Sequence, residues 1–218
     1  MIRRHPATVA SIAAVAATTV AGAAIVPITS NSALSTAGQG TFVGTLDYTF
    51  LGGTAGKLDV TLTNTTPVGI GGYITAFMFR PPPALGTFTS VLTASNFPLL
   101  TNIPAGANGS PFPGSWIGGA GLNNAWLAGG APANGIGIGQ TGIFSFSITG
   151  ANASMLSSDS FVSGGSVSDP YAFVVRLRGM DGPDAVSDSD KVPANQLPAP
   201  GAVALLALAG VARSRRRA

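Results

Sequence analysis

Residues 57–64 read KLDVTLTN. Leu58, Val60 and Leu62 alternate with Asp59, Thr61 and Thr63, a period of two that puts the apolar side chains on one face of an extended strand. The flanking runs repeat the pattern. In residues 42–51 (FVGTLDYTFL), Phe42, Leu46, Tyr48 and Phe50 oppose Thr45, Asp47 and Thr49. In residues 143–149 (IFSFSIT), Phe144, Phe146 and Ile148 oppose Ser145 and Ser147, and in residues 171–179 (YAFVVRLRG), Phe173, Val175 and Leu177 oppose Val174, Arg176 and Arg178. Residues 72–80 (GYITAFMFR) are apolar on both sides, which predicts a strand buried on both faces. Turn signals at Gly52-Gly53, Thr66-Pro67, Pro81-Pro82-Pro83, Gly164-Gly165 and Asp169-Pro170 separate these runs.

The predicted fold is all-β, an antiparallel β-sandwich of jelly-roll or immunoglobulin-like kind over residues 38–180. Residues 102–139, rich in Gly, Ala and Asn and holding both Trp116 and Trp126, read as a long loop excursion. Residues 152–158 offer one short helical turn, with Asn152 as its cap.

Composition narrows the function. Hydrophobic residues are 45% and charged residues 9% of the 218, against about 25% charged in ordinary soluble domains. With that apolar content the chain can bury a core. There is no Cys, which excludes disulfides and thiol chemistry; there is no Glu, and the single His is His5. Six arginines cluster at the ends: Arg3 and Arg4, then Arg213, Arg215, Arg216 and Arg217. Without them the body holds five cations against eight aspartates, a net −3. It has no basic, aromatic-interleaved face, so nucleic acid is not an expected partner.

Both ends read as membrane-directed. Arg3 and Arg4 precede an Ala-rich apolar run from Ala7 to Val26, the layout of a secretory signal peptide. Ala21-Gly22-Ala23 and Ser35-Thr36-Ala37 both fit small-x-small cleavage, and the leader is assigned to residues 1–37. At the other end, Gly201–Ala212 is apolar and would span about 18 Å as a helix, short of the roughly 30 Å hydrocarbon core. Pro198 and Pro200 bound it upstream and the arginines bound it downstream, holding that end on the cytoplasmic side. The expected ends are therefore an N-terminal signal helix and a short hydrophobic C-terminal helix.

This three-part tail resembles the PEP-CTERM sorting signal: Pro198, Ala199, Pro200 and Gly201, an apolar helix, then Arg213, Arg215, Arg216 and Arg217. Ala199 stands where the family usually has Glu. The resemblance covers about the last tenth of the chain. It implies export through the secretion machinery, cleavage by an exosortase-type membrane protease, and a place at the cell surface or outside a Gram-negative bacterium after transient inner-membrane anchoring. It also implies association with exopolysaccharide in biofilm or floc. The body is similar to exported PEP-CTERM proteins in its LTNTTP strand end (residues 62–67) and VVRLRG strand (residues 174–179).

Chemistry is sparse. With no His or Cys in the body, neither a Ser-His-Asp triad nor a zinc site can be built, and no cofactor is called for. A non-enzymatic role, structural or adhesive, is the expectation. Asp181, Asp184, Asp188 and Asp190 could offer oxygen ligands to a loosely held calcium ion. The alternative is that residues 181–197 form a solvated acidic linker to the sorting signal at 198–218, and this is the favoured reading. Trp116 and Trp126 could form a glycan-stacking platform, as in a carbohydrate-binding module, or could pack the loop onto the body; packing is the commoner use of large aromatics.

Overall fold

The computed structural model describes residues 24–127, 129–163 and 171–196. Its strands are β1 (Val26–Ser30), β2 (Phe42–Gly52), β3 (Ala55–Asn64), β4 (Tyr73–Phe79), β5 (Thr89–Ser95), β6 (Leu100–Ile103), β7 (Gly118–Leu122), β8 (Thr141–Thr149), β9 (Phe173–Arg178) and β10 (Ser189–Gln196). They form one ten-stranded sheet in the order β5-β8-β3-β2-β1-β10-β9-β4-β7-β6. Each of the nine neighbouring pairs is antiparallel. The all-β antiparallel expectation holds. The helices among the described residues are short 3-10 turns, and none is long and apolar enough to cross a membrane. The two terminal helices expected from sequence fall outside the described residues.

The sheet curls until its ends nearly meet. Phe77 on β4 packs against Phe144 and Phe146 on β8, with ring centroids 4.8 and 5.9 Å apart. The free edges, β5 and β6, are joined by side chains: the Leu92 amide donates to Asn102 Oδ1 at 2.7 Å, and Ser90 Oγ donates to the Ile117 carbonyl at 3.0 Å. An exposed strand edge invites pairing with another chain, and bonds across the seam use some of those edge groups. β10 joins the two halves of the sheet. Its first part, through Pro193, pairs with β9, and Ala194–Gln196 pairs with β1. Proline has no ladder donor, which suits the point where the partner changes.

Inside lie the apolar faces read from the alternation: Phe42, Leu46, Leu58, Val60, Leu62, Phe144, Phe146, Phe173 and Val175 are all buried. Phe50 differs. The β2–β3 hairpin, turned through Gly52 and Gly53 at positive φ, extends past the core, and Phe50 is exposed there. Tyr48 is buried, and its hydroxyl donates to the Ala153 carbonyl at 2.7 Å; burial raises its pKa above the ordinary value. The short turn after β8, Ala153–Met155, has Asn152 at its N-cap position, but no side-chain bond caps it. The Asn152 amide instead donates to the Leu85 carbonyl at 2.9 Å, and a second turn, Ser158–Phe161, takes a capping box from Ser157 and Ser160.

Three boundaries shift. β1 lies inside the segment read as leader (1–37): Val26 and Ile28 point into the core, and the strand pairs with both β2 and β10. The acidic linker of residues 181–197 is likewise cut short, because Val192 is a core residue and Ser189–Gln196 is a sheet strand. The excursion over 102–139 contains β7, a central strand between β4 and β6. Its sequence, GGAGL, hid it because glycine is a poor strand signal. The glycines serve close approach: a Cβ on Gly119 would meet Met78 Cα at 2.8 Å.

β4 is buried on both faces, as predicted. Phe77 and Phe79 enter the interior, whereas Ala76 and Met78 face outward beneath a second apolar layer with Ile103, Phe112, Trp116, Trp126 and Val174. The arginines of β9 fasten that layer. Arg176 Nη1 donates to the Trp126 carbonyl at 2.6 Å and Arg178 Nη1 to the Gly129 carbonyl at 3.1 Å. Desolvation, then the neighbouring Arg178 charge, lowers the pKa of Arg176, while Asp188 opposes the shift.

Candidate functional surface

Trp116 and Trp126 are 1% and 2% exposed, so neither ring offers a face to a sugar. Both belong to the layer over β4, which is the packing role. Trp126 Nε1 donates to the Ser110 carbonyl at 3.0 Å, and the Arg80 guanidinium lies 5.1 Å from the centre of the Trp116 ring, a cation–π distance. The stacking platform expected as an alternative is therefore not formed.

The four aspartates of the calcium expectation do not converge. Asp190 is fully buried, and its carboxylate is already saturated. Oδ1 accepts from Thr36 Oγ1 (3.0 Å) and the Ala37 amide (2.8 Å). Oδ2 accepts from the amides of Gln39 (2.8 Å) and Gly40 (2.9 Å). These bonds tie the loop before β2 to β10 across about 150 residues of sequence. Asp181, Asp184 and Asp188 are exposed, with Asp184 beside Gly69 and Asp181 beside Gly71. Among the described residues no three acidic or His side chains gather as a metal would require.

Strand register brings together what the linear sequence kept apart. On the outward face of β2, β3 and β8 the rungs read Val43–Thr63–Thr141, Thr45–Thr61–Ile143, Asp47–Asp59–Ser145 and Thr49–Lys57–Ser147. Thr63 and Thr141 bond hydroxyl to hydroxyl at 2.8 Å. Asp47 and Asp59 stand directly opposite each other. Lys57 Nζ pairs with Asp59 at 2.8 Å, and Ser145 Oγ donates to it at 2.5 Å, whereas Asp47 Oδ1 is buried without a partner. Two carboxylates side by side repel. Asp47→Asn should therefore stabilise the protein, by up to about 1 kcal/mol, read as a rise of roughly 2–4 °C in Tm. Asp59→Asn, which discards two good contacts, should not.

These acids sit on an outer sheet face and not in a cavity. Clefts of about 410, 310 and 280 Å³ occur elsewhere, and no aspartate lines any of them. The first opens beside the second apolar layer, between Pro81, Pro83, Phe88 and Trp116. At the other end of the sheet, the LTNTTP stretch is a structural fastening. The buried Asn64 amide donates to the carbonyls of Gly72 (3.1 Å) and Ile136 (3.0 Å), and its Oδ1 accepts from the Thr66 amide (3.1 Å).

Comparison with known proteins adds no relative: no family model matches the chain, and neither does any curated protein or solved structure.

Proposed function

We propose that this chain is an exported, non-enzymatic surface or matrix protein, sorted through its tail by an exosortase-type protease and touching extracellular polysaccharide through the outward face of β2, β3 and β8. The observation that supports the surface role is the hydroxyl-bearing face: each of the four rungs carries at least one Thr or Ser, hydroxyls that both donate and accept, with the exposed Val43 and Ile143 among them. Such a face suits many weak contacts with a repeating polymer, where avidity comes from number and not from one deep site. The body is read as a flattened barrel, related to a sandwich by the change of partner at Pro193–Ala194. Cleavage of the leader at Ala21-Gly22-Ala23 keeps β1 in the sheet, whereas cleavage at Ser35-Thr36-Ala37 would remove it.

Native electrophoresis through gels carrying soluble bacterial exopolysaccharide tests the contact. The protein should be retarded relative to a polysaccharide-free gel, and a Thr45→Val, Thr61→Val, Thr63→Val, Thr141→Val variant should run several-fold closer to its free mobility. Equal mobility with and without polymer would end this reading. Intact mass of the exported protein tests sorting separately, with the C-terminus expected near Pro198.

A further inference from the structure

We propose that the end of the barrel from which both chain termini leave is a membrane-contact surface, on which the body stands against the bilayer while its tail is anchored. This deepens the proposed function and rests on its reading of the C-terminal segment as a transient membrane anchor.

The two exits are neighbours. β1 begins at Val26 and β10 ends at Gln196, on adjacent antiparallel strands with Ile28 opposite Gln196. The apolar runs Ala7–Val26 and Gly201–Ala212 thus attach to one end of the sheet, side by side. A body held by a short tail at that end has this surface nearest the lipid.

The same end is rimmed with unburied apolar side chains. Ile25 precedes β1; Phe50 and Leu51 lie at the β2–β3 hairpin, on the side of Leu46 away from Phe42; Met155 belongs to the turn held to Tyr48 through Ala153. All four are exposed, Leu51 at 64%. Side chains of this kind partition into the interfacial region of a bilayer, burying apolar area there. Among the described loop residues at this end the carboxylate is Asp159, bonded to Gln196 Nε2 at 2.7 Å, while Asp47 and Asp59 lie further along β2 and β3.

Charge separates the two ends. At the opposite end Val68 and Val186 are also exposed, but the exposed Asp181, Asp184 and Asp188 stand among them. Their loops are bonded together, with Asp184 N donating to the Gly69 carbonyl at 2.9 Å and Gly182 N to the Ile70 carbonyl at 3.0 Å. Carboxylates are repelled by an anionic lipid surface and are costly to bring into it. Ser189 to Gln196 is seven strand steps of about 3.3 Å, so the acidic end stands roughly 23 Å further from the exits along β10.

The absence of Cys makes the test direct. Leu51→Cys and Val186→Cys variants of the chain without its leader (from Ala24 to the C-terminus), each carrying one bimane label, are reconstituted into phosphatidylethanolamine/phosphatidylglycerol vesicles containing a lipid with a nitroxide near the top of its acyl chain. Flotation reports anchoring, and quenching reports contact. The expected result is flotation of both variants, with quenching at position 51 at least threefold greater than at position 186. That difference should be lost, with flotation retained, in a Phe50→Asp, Met155→Asp background. Flotation with equal quenching at the two positions overturns the contact surface and leaves the anchor standing. Failure to float overturns the anchor and the contact surface with it.

Discussion

Asp190→Asn should be among the most damaging single changes in this protein, although it removes one charge from a segment that looks like a linker. The carboxylate takes three backbone amides and one hydroxyl, two donors on each oxygen. A carboxamide replaces one acceptor with a donor whichever way it is turned. Placed toward Gln39 and Gly40, its NH₂ faces two amide hydrogens; placed toward Thr36 and Ala37, it still faces one. Thr36 Oγ1 is itself committed, accepting from the Lys191 amide at 2.9 Å. Hydrogen bonds to a charged group are worth about 1.5–3 kcal/mol net, and an unsatisfied buried donor costs about 1–3 kcal/mol. A loss of about 2–4 kcal/mol is expected, or roughly 5–15 °C in Tm for a domain of this size. Amide exchange should quicken first at Ala37, Gln39 and Gly40. The exposed Asp181, Asp184 and Asp188 provide the comparison, because Asn at each should stay within about 0.5 kcal/mol of the parent. If Asp190→Asn melted with that group, the cage would have no energetic meaning.

The same residue marks where sequence reading stops. Period-two alternation is a local property, and wherever one face was apolar and the other polar it located β2, β3, β8 and β9 and, Phe50 apart, their inward residues. It also predicted the double burial of β4, because Ala76 and Met78 on the reverse face are apolar. Apart from Val174, what covers that face, from Ile103 to Trp126, lies about 25 to 50 residues further along, in a stretch whose glycines look like loop. In β7 those glycines permit close packing beneath the tryptophans. A glycine-rich buried strand and a glycine-rich loop have the same composition, and only the partner distinguishes them. β10 failed for a related reason: SDKVPANQ carries one core side chain, Val192, and its acid is buried on the same face. An aspartate among serines reads as solvated unless its donors are known, and these donors stand about 150 positions upstream. The Asp47–Asp59 rung required the register of β2 on β3, which neither strand states by itself.

Closure of the sheet gives the second large effect, at Phe77. β4 and β8 are six places apart in the strand order. In an open sheet, with strands about 4.8 Å apart, that is roughly 29 Å. The rings of Phe77 and Phe144 are nonetheless 4.8 Å apart at 66°, an edge-to-face contact, and Phe77 also stacks on Phe173 at 5.7 Å. Phe77→Ala would open a cavity where strands from both halves meet, at a cost of about 3–5 kcal/mol, enough to leave the domain marginal. Size alone does not prove closure, since any buried Phe is costly to remove. The decisive measurement is a double-mutant cycle in urea with Phe77→Leu and Phe144→Leu. Aromatic pairs in contact couple by about 0.5–1.5 kcal/mol beyond their separate burial, whereas residues far apart add independently to within about 0.5 kcal/mol. A coupling near 1 kcal/mol would place β4 against β8 in solution. Strict additivity would mean that the two walls do not touch and that the sheet is open along the β5–β6 seam, where Asn102 is the side chain that bridges to Leu92.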